Sequence, residues 1–397
     1  MQLTPVLQEG NRSARDISMQ VRVPDLDPTR LAGASKHLDP NYAPATVILP
    51  ATSALRKPGP GRVWHDQAAG RAPGRRFSPR RIQFAATLAR VIDQPFLATE
   101  MVLFDHNRIY LDTSIEMEYS SGKSMLDVKE RFSAAVAASS GFPVNHRFGK
   151  ETVLISHHEG GSTWGHYLVQ SIPRMLVFLD AFPKGKIAVP AWHAQGAPGF
   201  GEALELYGIS NDRLVPVEEE AVYRFKRAVV HDFLFHFGLA APHPKVLPLL
   251  RRFKLKGKVS LPAARGAFIK RRLDAKRAIA NQQAVDEVMA RNGIAIYGPD
   301  ELPLRRQIEI WRRHDLLIAT LGSDLTNMVY ARPGTKLLVL SPDWFGDSFF
   351  FELSVAAGMQ WHELRCAGMS KRDEEIRHSC FLVDTDLLDS ILRGLLR

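Results

Sequence analysis

Cysteine is scarce in this chain, which has only Cys366 and Cys380 among its 397 residues. Two thiols are too few for the disulfide framework of a small secreted domain or for a cysteine-based zinc site. We therefore expect reduced thiols and a fold that is held together by apolar cores. At roughly 150 residues per domain, this length predicts two or three such cores.

Long apolar runs are also missing. No stretch supplies the ~20 consecutive apolar residues of a membrane-spanning helix, and residues 1–20 lack the apolar segment of a signal peptide. The hydrophobic content is 45% and the charged content 24%, which is typical of globular proteins. We therefore expect a cytoplasmic protein.

Acidic residues are outnumbered, because 42 Asp and Glu face 52 Lys and Arg, and the formal net charge is +10. Between residues 251 and 277, eleven Lys and Arg accompany one acidic residue, Asp274. Such a surface favours phosphorylated or polyanionic partners, although a merely solvated basic face is the alternative. No helix-turn-helix, zinc-finger or RNA-binding motif accompanies the charge, so nucleic acid is not expected as a partner.

Apolar strand-like runs alternate with helical patterns over most of the chain, and this order predicts an α/β fold with parallel sheets. One series occupies residues 45–238 and a second occupies residues 263–397. A linker with a basic helix, residues 239–262, joins them, and residues 1–44 are expected to form an irregular N-terminal arm. The pattern predicts two Rossmann-like lobes with a ligand cleft between their strand ends.

A phosphate-binding pattern lies in the second series. It consists of a buried strand over residues 316–321, a turn that begins at Gly322, and a helix over residues 325–331. The first N–H groups of such a helix and its dipole attract anions. A nucleotide diphosphate is the expected ligand.

Three sequence blocks resemble one known family. TWGHYLVQSIPRM (163–175) resembles the motif N-Y-x-H-W-L-x-E-x-L-P-R-L of the family 61 glycosyltransferases, also called the domain of unknown function 563. IKRRLDAKRAIANQ (269–282) resembles their I-S-R followed by R-x-x-x-N-E. LGSDLTNMVYARPGTKLLVL (321–340) resembles their H-G-A-x-L-T-N followed by P-P-G-T. The resemblance implies a glycosyltransferase of the GT-B architecture, in which two Rossmann-like lobes enclose a cleft.

The chain departs from the family motifs at three positions. Leu321 stands at the family's His, and Gln170 and Gln282 stand at two Glu positions. A side chain that moves protons is not replaced by Leu or Gln without loss of that chemistry. The departures therefore leave open a second interpretation, a catalytically degenerate protein that binds a nucleotide or a glycan.

The resemblance implies that Arg271 and Arg277 bind the leaving nucleoside diphosphate. Guanidinium groups offer paired donors and a fixed charge, so we expect no metal ion and no other cofactor. A surface ion pair with Asp274 is the alternative for either arginine. The remaining candidates for donor binding are Asn281, Gly322, Ser323, Thr326 and Asn327.

Two of the candidate residues have alternative roles at helix ends. Asn281 stands where a helix begins and is equally suited to cap it. Asp324 would repel a phosphate, so it is expected either to cap the helix that follows or to act catalytically on the acceptor.

His166 is the candidate catalytic base. It begins a predicted helix, and a helix N-terminus disfavours the imidazolium, which suits a neutral base near pH 7. An inverting transfer needs one such base to remove the proton of the acceptor hydroxyl. The alternative role of His166 is a hydrogen bond that holds the loop.

Two other sequence patterns mimic metal sites. His157 and His158 are adjacent and would point to opposite faces of a strand, so a shared metal ion is not expected. Asp384-Thr385-Asp386 resembles the Asp-x-Asp manganese motif of other glycosyltransferases. It stands close to residue 397, where Asp384 is better suited to cap the last helix.

The sequence therefore predicts a glycosyltransferase that moves a sugar from a nucleotide-sugar donor to a glycan or lipid-linked glycan acceptor. The resemblance implies capsular polysaccharide, exopolysaccharide or lipopolysaccharide assembly, with possible peripheral association at the inner membrane face.

Overall fold

The computed structural model describes most of the chain after residue 44. The described residues are 45–66, 77–98, 101–105, 109–110, 134–138, 142, 144–146, 151–156, 163–194, 199–236, 239–255, 257, 259–271, 277–346, 348–369 and 379–397. The predicted arm, residues 1–44, lies outside them.

The first part of the chain is rich in strands. They are β1 (Ala45–Leu49), β2 (Thr52–Arg56), β3 (Arg62–His65), β4 (Arg80–Phe84), β5 (Thr87–Asp93), β6 (Phe96–Leu97), β7 (Leu103–Phe104), β8 (Ile109–Tyr110), β9 (Val144–His146), β10 (Thr152–Ile155), β11 (Lys186–Pro190), β12 (Leu214–Val217), β13 (Val222–Arg224), β14 (Arg227–His231), β15 (Phe235–His236) and β16 (Ala241–Pro242). The helices between them are α1 (Trp164–His166), a π-helical turn (Tyr167–Ser171), α2 (Ile172–Ala181), α3 (Ala191–Ala194), α4 (Phe200–Leu206) and a 3₁₀ turn (Asn211–Arg213).

Helices and strands alternate in the rest of the chain. The elements are α5 (Val246–Leu250), β17 (Gly266–Ile269), α6 (Gln282–Arg291), β18 (Ile294–Tyr297), a 3₁₀ turn (Pro299–Glu301), α7 (Leu304–Arg313), β19 (Leu316–Thr320), a 3₁₀ helix (Ser323–Tyr330), β20 (Lys336–Pro342), α8 (Phe349–Ala357), β21 (Gln360–Cys366) and α9 (Thr385–Leu395). We refer to the 3₁₀ helix Ser323–Tyr330 as the Ser323 helix.

The first large sheet has six strands in the order β1-β5-β14-β10-β11-β12. The four strands from β14 to β12 are parallel, whereas β5 and β1 run antiparallel at one edge. Alternate residues of the central strands enter two different apolar clusters, so both faces of the sheet are covered. Burial on both faces explains why these strands are continuously apolar in sequence.

The second large sheet has six parallel strands in the order β18-β17-β19-β20-β21-β3. Its first five strands follow the doubly wound order 2-1-3-4-5, with the switch point between β17 and β19. The edge strand β3 comes from the first part of the chain, far in sequence from its neighbour β21. Sheets of this order bind ligands outside the carboxyl ends of the strands at the switch point.

One apolar cluster connects the two large sheets. It includes Leu154 and Val229 of the first sheet and Ile269, Leu317 and Val339 of the second. The outer face of the second sheet packs on a separate cluster, to which α6 and α9 contribute. The expectation of an α/β fold with parallel sheets is confirmed. No helix formed by the described residues is long and apolar enough to cross a bilayer.

Three predictions of local structure need correction. The helix predicted over residues 325–331 is a 3₁₀ helix that begins earlier, at Ser323. The linker helix α5 is apolar rather than basic, because four of its five residues are buried in the core. The long helix predicted to begin at His166 begins at Trp164 and contains a π-helical turn.

Pro173 is the local feature of the sequence that favours the π-helical turn. Pro173 has no N–H with which to bond the Val169 carbonyl, so an ordinary α-helical hydrogen bond is missing at this point. The N–H of Ile172 instead bonds the Tyr167 carbonyl, five residues back. Such bulges change the direction of side chains and often occur near functional sites.

Candidate functional site

Arg271 and Gly322 meet at the switch point of the second sheet. Arg271 follows β17 and Gly322 follows β19. Arg271 Nη1 donates to the Leu321 carbonyl at 3.2 Å. A Cβ at Gly322 would lie only 1.4 Å from Arg271 Nη1, so the guanidinium fills the space that a side chain would need. A side chain at position 322 would therefore have to displace the guanidinium. The Gly322 backbone is extended and does not itself demand glycine.

The N-terminus of the Ser323 helix stands beside this arginine. Ser323 is partly exposed, and Gly322 occupies the N-cap position. The expectation that Asp324 caps this helix is therefore wrong, because Asp324 lies within the first turn. The first N–H groups of a helix lack intrahelical partners, and together with Arg271 they form a positive corner at the end of β19.

Thr326 and Asn327 are fully buried in the same helix. Thr326 Oγ1 donates to the Ser323 carbonyl at 2.6 Å. Asn327 Nδ2 donates to Gln307 Oε1 at 2.9 Å, and Asn327 Oδ1 accepts from Trp164 Nε1 at 2.9 Å. The structure thus brings both residues to the site but turns their side chains into the protein, where they hold the Ser323 helix.

Arg277 and Asn281 lie further along the chain from Arg271. Arg277 has a left-handed backbone (φ 63°), and its guanidinium is 5.7 Å from the ring centre of Phe345, just beyond β20. Asn281 Nδ2 donates to the Val383 carbonyl at 2.8 Å, and Asn281 Oδ1 accepts from the Val383 N–H at 3.0 Å. Asn281 occupies the N-cap position of α6 without a side-chain capping bond, so the capping expectation is wrong and the side chain ties α6 to the segment before α9. Asp274 lies outside the described residues.

The helix α1 brings His166 to the Gly322 turn. A Cβ at Gly165 would lie 3.1 Å from Thr326 Cγ2 and 3.5 Å from Ser323 Cβ, so the two backbones are in close contact. His166 Nδ1 is 3.0 Å from Gln170 Oε1, and the His166 ring is 6.4 Å from the ring of Phe349. With Gln170 Oε1 as the acceptor, Nδ1 carries the proton of the neutral imidazole and the lone pair is on Nε2.

A buried cation lies on the continuation of this helix. Arg174 is fully buried, donates to the His231 carbonyl at 2.8 Å, and stacks on Phe233 with its guanidinium carbon 4.5 Å from the ring centre. Burial lowers the pKa of Arg174 to about 10. Burial, and then the Arg174 charge, lower the pKa of His231 to about 3, so this imidazole is neutral at physiological pH.

This cluster joins α2 to the carboxyl end of β14. We did not single out Arg174 from the sequence, although the P-R pair of the first family motif contains it. No pattern in the sequence marked His231.

No three His, Cys, Asp or Glu side chains of the described residues are grouped as a metal ion would need. His157, His158 and Glu159 lie outside those residues. Asp384 caps α9 as predicted, because its carboxylate accepts from the N–H groups of Asp386 at 3.0 Å and Leu387 at 2.9 Å. The Asp-x-Asp pattern is therefore a helix cap.

Comparison with known proteins identifies the central part of the chain. The family model described as Glycosyltransferase 61 matches residues 164–338, from the start of α1 into β20. The matched segment contains His166, Arg271 and the Gly322 turn. A comparison with curated proteins gave no match. The resemblance of the sequence motifs is confirmed, because residues 164–338 match the model of the glycosyltransferase 61 family, and this match indicates sugar transfer in the broad sense.

Proposed function

We propose that this protein transfers a sugar from a nucleotide-sugar donor to a glycan or glycoconjugate acceptor. The observation that carries the proposal is the contact between two helix N-termini. Gly165, next to His166, packs on Ser323, next to the Gly322–Arg271 corner. A proton acceptor and an anion-binding corner are therefore adjacent, which is the pair of functions that sugar transfer from a diphosphate requires.

The proposed architecture is GT-B-like. Residues 45–238 would form the acceptor lobe, residues 239–262 the linker and residues 263–397 the donor lobe, with β3 completing the donor sheet. Two separate sheets with parallel strands, the second with a switch point between β17 and β19, support this arrangement. The cleft of the proposal lies where α1, after β10, meets the Ser323 helix, after β19.

In the proposed donor site, Arg271 neutralises the diphosphate and Ser323 donates to a phosphate oxygen. Arg271 Nε is buried without a hydrogen-bond partner among the described residues, so one donor of the guanidinium is unsatisfied in the folded protein. Arg277 is the second cation of the proposal. A fixed guanidinium charge stabilises a leaving diphosphate without a metal ion, so we propose a metal-independent transfer.

His166 is the proposed general base of a single displacement with inversion. Its Nε2 takes the proton of the acceptor hydroxyl while the acceptor oxygen bonds the anomeric carbon and the nucleoside diphosphate leaves with the bonding electron pair. Gln170 holds the imidazole with the lone pair on Nε2. Asp324, partly buried in the first turn of the Ser323 helix, is the second candidate for the base.

Nucleotide binding and donor turnover test the proposal together. A thermal-shift panel of UDP, GDP, CMP and their sugars should give one stabilising nucleotide, because a ligand that binds only the folded state raises its stability. Arg271→Ala should abolish most of that shift. Arg252→Ala is the matched control, because Arg252 is an exposed arginine that pairs with Asp180.

A degenerate binding protein is the second candidate function. Leu321 is fully buried in the apolar cluster at the position where the family motif has a His. If the wild-type protein binds a nucleotide sugar but shows no turnover with water or with any glycan, this second function is the correct one.

A further inference from the structure

Five aromatic side chains form a continuous cluster that includes Trp164 of α1, the helix that carries the candidate base. They belong to α1, the π-helical turn, α3 and the first residue of α4. We refer to them as the aromatic cluster, and its members are Trp164, Tyr167, Trp192, His193 and Phe200.

The other rings of the cluster pack against Trp192 and hold it in place. The rings of His193 and Phe200 stack at 5.0 Å, and the Tyr167 ring lies 4.6 Å from Phe200. Tyr167 and His193 are buried. Trp192 packs edge-on against His193 at 3.9 Å and Phe200 at 5.1 Å. A ring with such support keeps its orientation before any ligand binds.

Trp192 nevertheless leaves 36% of its surface exposed. Isolated exposed apolar residues are common, but here the neighbouring Trp164 and Phe200 are also partly exposed. The three rings therefore form a patch rather than one outlier.

The position of the patch links it to the acceptor side of the proposed cleft. The helix α3 follows β11 directly, and β11 pairs in parallel with β10, so the carboxyl ends of both strands lie at one edge of the sheet. β10 leads to α1, which carries His166. Trp164 stands two residues before His166 and is held by its hydrogen bond to Asn327.

The chemistry of the patch suits a sugar ring. A pyranose has an apolar C–H face that packs on an aromatic ring while its hydroxyls remain in water, and Trp offers the largest such surface. The cluster contains no Lys, Arg, Asp or Glu, whereas the donor diphosphate requires the cationic corner at Arg271. We propose that Trp192, supported by the aromatic cluster, is a subsite that stacks a pyranose ring of the acceptor glycan. This inference rests on the proposed function, because it names where the acceptor of that reaction binds.

A glycan array and a donor assay test the proposal together. Labelled wild-type protein, Trp192→Ala and Trp192→Phe are applied to an array of immobilised hexopyranosides and oligosaccharides. The affinity of each for the nucleotide that stabilises the wild type is measured in parallel. Val47→Ala is the control, because Val47 is an exposed apolar residue on β1, at the far edge of the same sheet.

We expect Trp192→Ala to weaken binding to the preferred glycan by about tenfold or more, and Trp192→Phe to retain it within about threefold. Nucleotide affinity should stay unchanged, which also shows that the variants are folded. Unchanged glycan affinity in Trp192→Ala, or no glycan binding by the wild type, would overturn the subsite. A loss of nucleotide affinity would instead assign Trp192 to a nucleobase and would also overturn it.

The same experiment separates the subsite from the reaction. Glycan binding that depends on Trp192, in a protein that turns over no nucleotide sugar, would support the subsite and reject the transferase.

Discussion

Gly322 has no side chain, and the Arg271 guanidinium occupies the space where one would stand. In Gly322→Ala the new methyl group must displace this flexible side chain, whereas the extended backbone accepts alanine without strain. We expect nucleotide-sugar affinity to fall by about tenfold, the equivalent of about 1.4 kcal/mol, while the fold is retained. Calorimetric titration of the nucleotide measures the loss.

Gly298→Ala is the control for that variant, because Gly298 follows β18 in the same sheet and has only ordinary contacts around a Cβ, the nearest at 3.5 Å. Equal nucleotide affinity in wild type and Gly322→Ala would show that the Arg271 guanidinium does not bind the donor.

Gln170 is one of the three residues that differ from the family motifs, because the family has a Glu at this position. The Gln170 oxygen is 3.0 Å from His166 Nδ1, so a carboxylate at this position would stabilise the charged imidazolium and raise the pKa of His166. A general base must be neutral before it accepts a proton. We expect Gln170→Glu to move the acidic limb of the kcat/KM profile to higher pH, so that activity is lost first on the acidic side. A pH profile of donor turnover measures this shift, and an unmoved limb would disconnect Gln170 from the base.

At the level of single residues, the sequence assigned Arg271 and Gly322 to one site, and the structure has them side by side. The sequence did not indicate where the side chains of Thr326 and Asn327 point. Residue type and spacing placed both in the right helix. The direction of their side chains depends on α1 and α7, which pack on that helix from distant parts of the chain. Such long-range contacts leave no local pattern in the sequence.

A chain of hydrogen bonds connects α1, the Ser323 helix and α7. Trp164 donates to Asn327, Asn327 donates to Gln307, and Gln307 Nε2 donates to the carbonyls of Pro299 at 3.0 Å and Leu302 at 2.9 Å. These hydrogen bonds fix the position of the helix that carries His166 relative to the helix that begins at Ser323.

Asn327→Ala would remove the partners of the Trp164 indole N–H and the Gln307 amide oxygen, which both belong to half-buried side chains. We expect a loss of about 2 kcal/mol or more in the free energy of unfolding, together with lower turnover. Chemical denaturation measures the stability, and exposed Asn211→Ala serves as the control. If stability and turnover both stayed at the wild-type level, these hydrogen bonds between the helices would contribute nothing to the free energy of unfolding or to the arrangement of the site.

The sequence pattern predicted the helix that contains the π-helical turn but not the turn itself. The apolar periodicity of residues 166–181 predicted a helix, and the helix exists. Pro173 marked the irregularity, because a proline inside a helical pattern removes one hydrogen bond. Whether the chain then kinks, stops or forms a π-helical turn is decided by packing around Tyr167 and Gln170, both buried.

For the molecule as a whole, buried imidazoles make the free energy of unfolding depend on pH. Burial, and then the charges of Lys336 and Arg62, lower the pKa of His362 from 6.5 to about 4. Between these pH values the unfolded chain binds a proton that the folded chain does not, so the free energy of unfolding falls as the pH falls. His231, with its pKa lowered to about 3, acts in the same direction.

We expect His362→Phe to reduce the pH dependence of stability between about pH 6.5 and 4 by up to about 1.4 kcal/mol per pH unit. The ring stacks on Trp64 at 5.8 Å, a contact that Phe preserves. Urea denaturation at several pH values gives the slope, and His65→Phe, at an exposed position of β3, is the control. An identical slope in His362→Phe and wild type would contradict the expected protonation change.

The order of strands was only partly predictable. Alternation of apolar runs and helices indicated two parallel sheets. In the structure the second sheet is fully parallel, and the first has four parallel strands with β5 and β1 antiparallel at its edge. The pairing of β3 with β21 joins residues about three hundred positions apart and has no signal in the local pattern. The contact of α1 with the Ser323 helix is likewise a product of how the two sheets pack, although both partners were predicted as ligand-binding elements.

We propose that His166, on the helix that contacts the Ser323 helix, removes the proton of the acceptor hydroxyl. The most direct measurement compares wild type and His166→Ala in single-turnover sugar transfer and in nucleotide affinity. We expect transfer to fall by about 10²–10⁴-fold in His166→Ala while the dissociation constant of the nucleotide hardly changes. Transfer by His166→Ala at the wild-type rate would contradict the proposal.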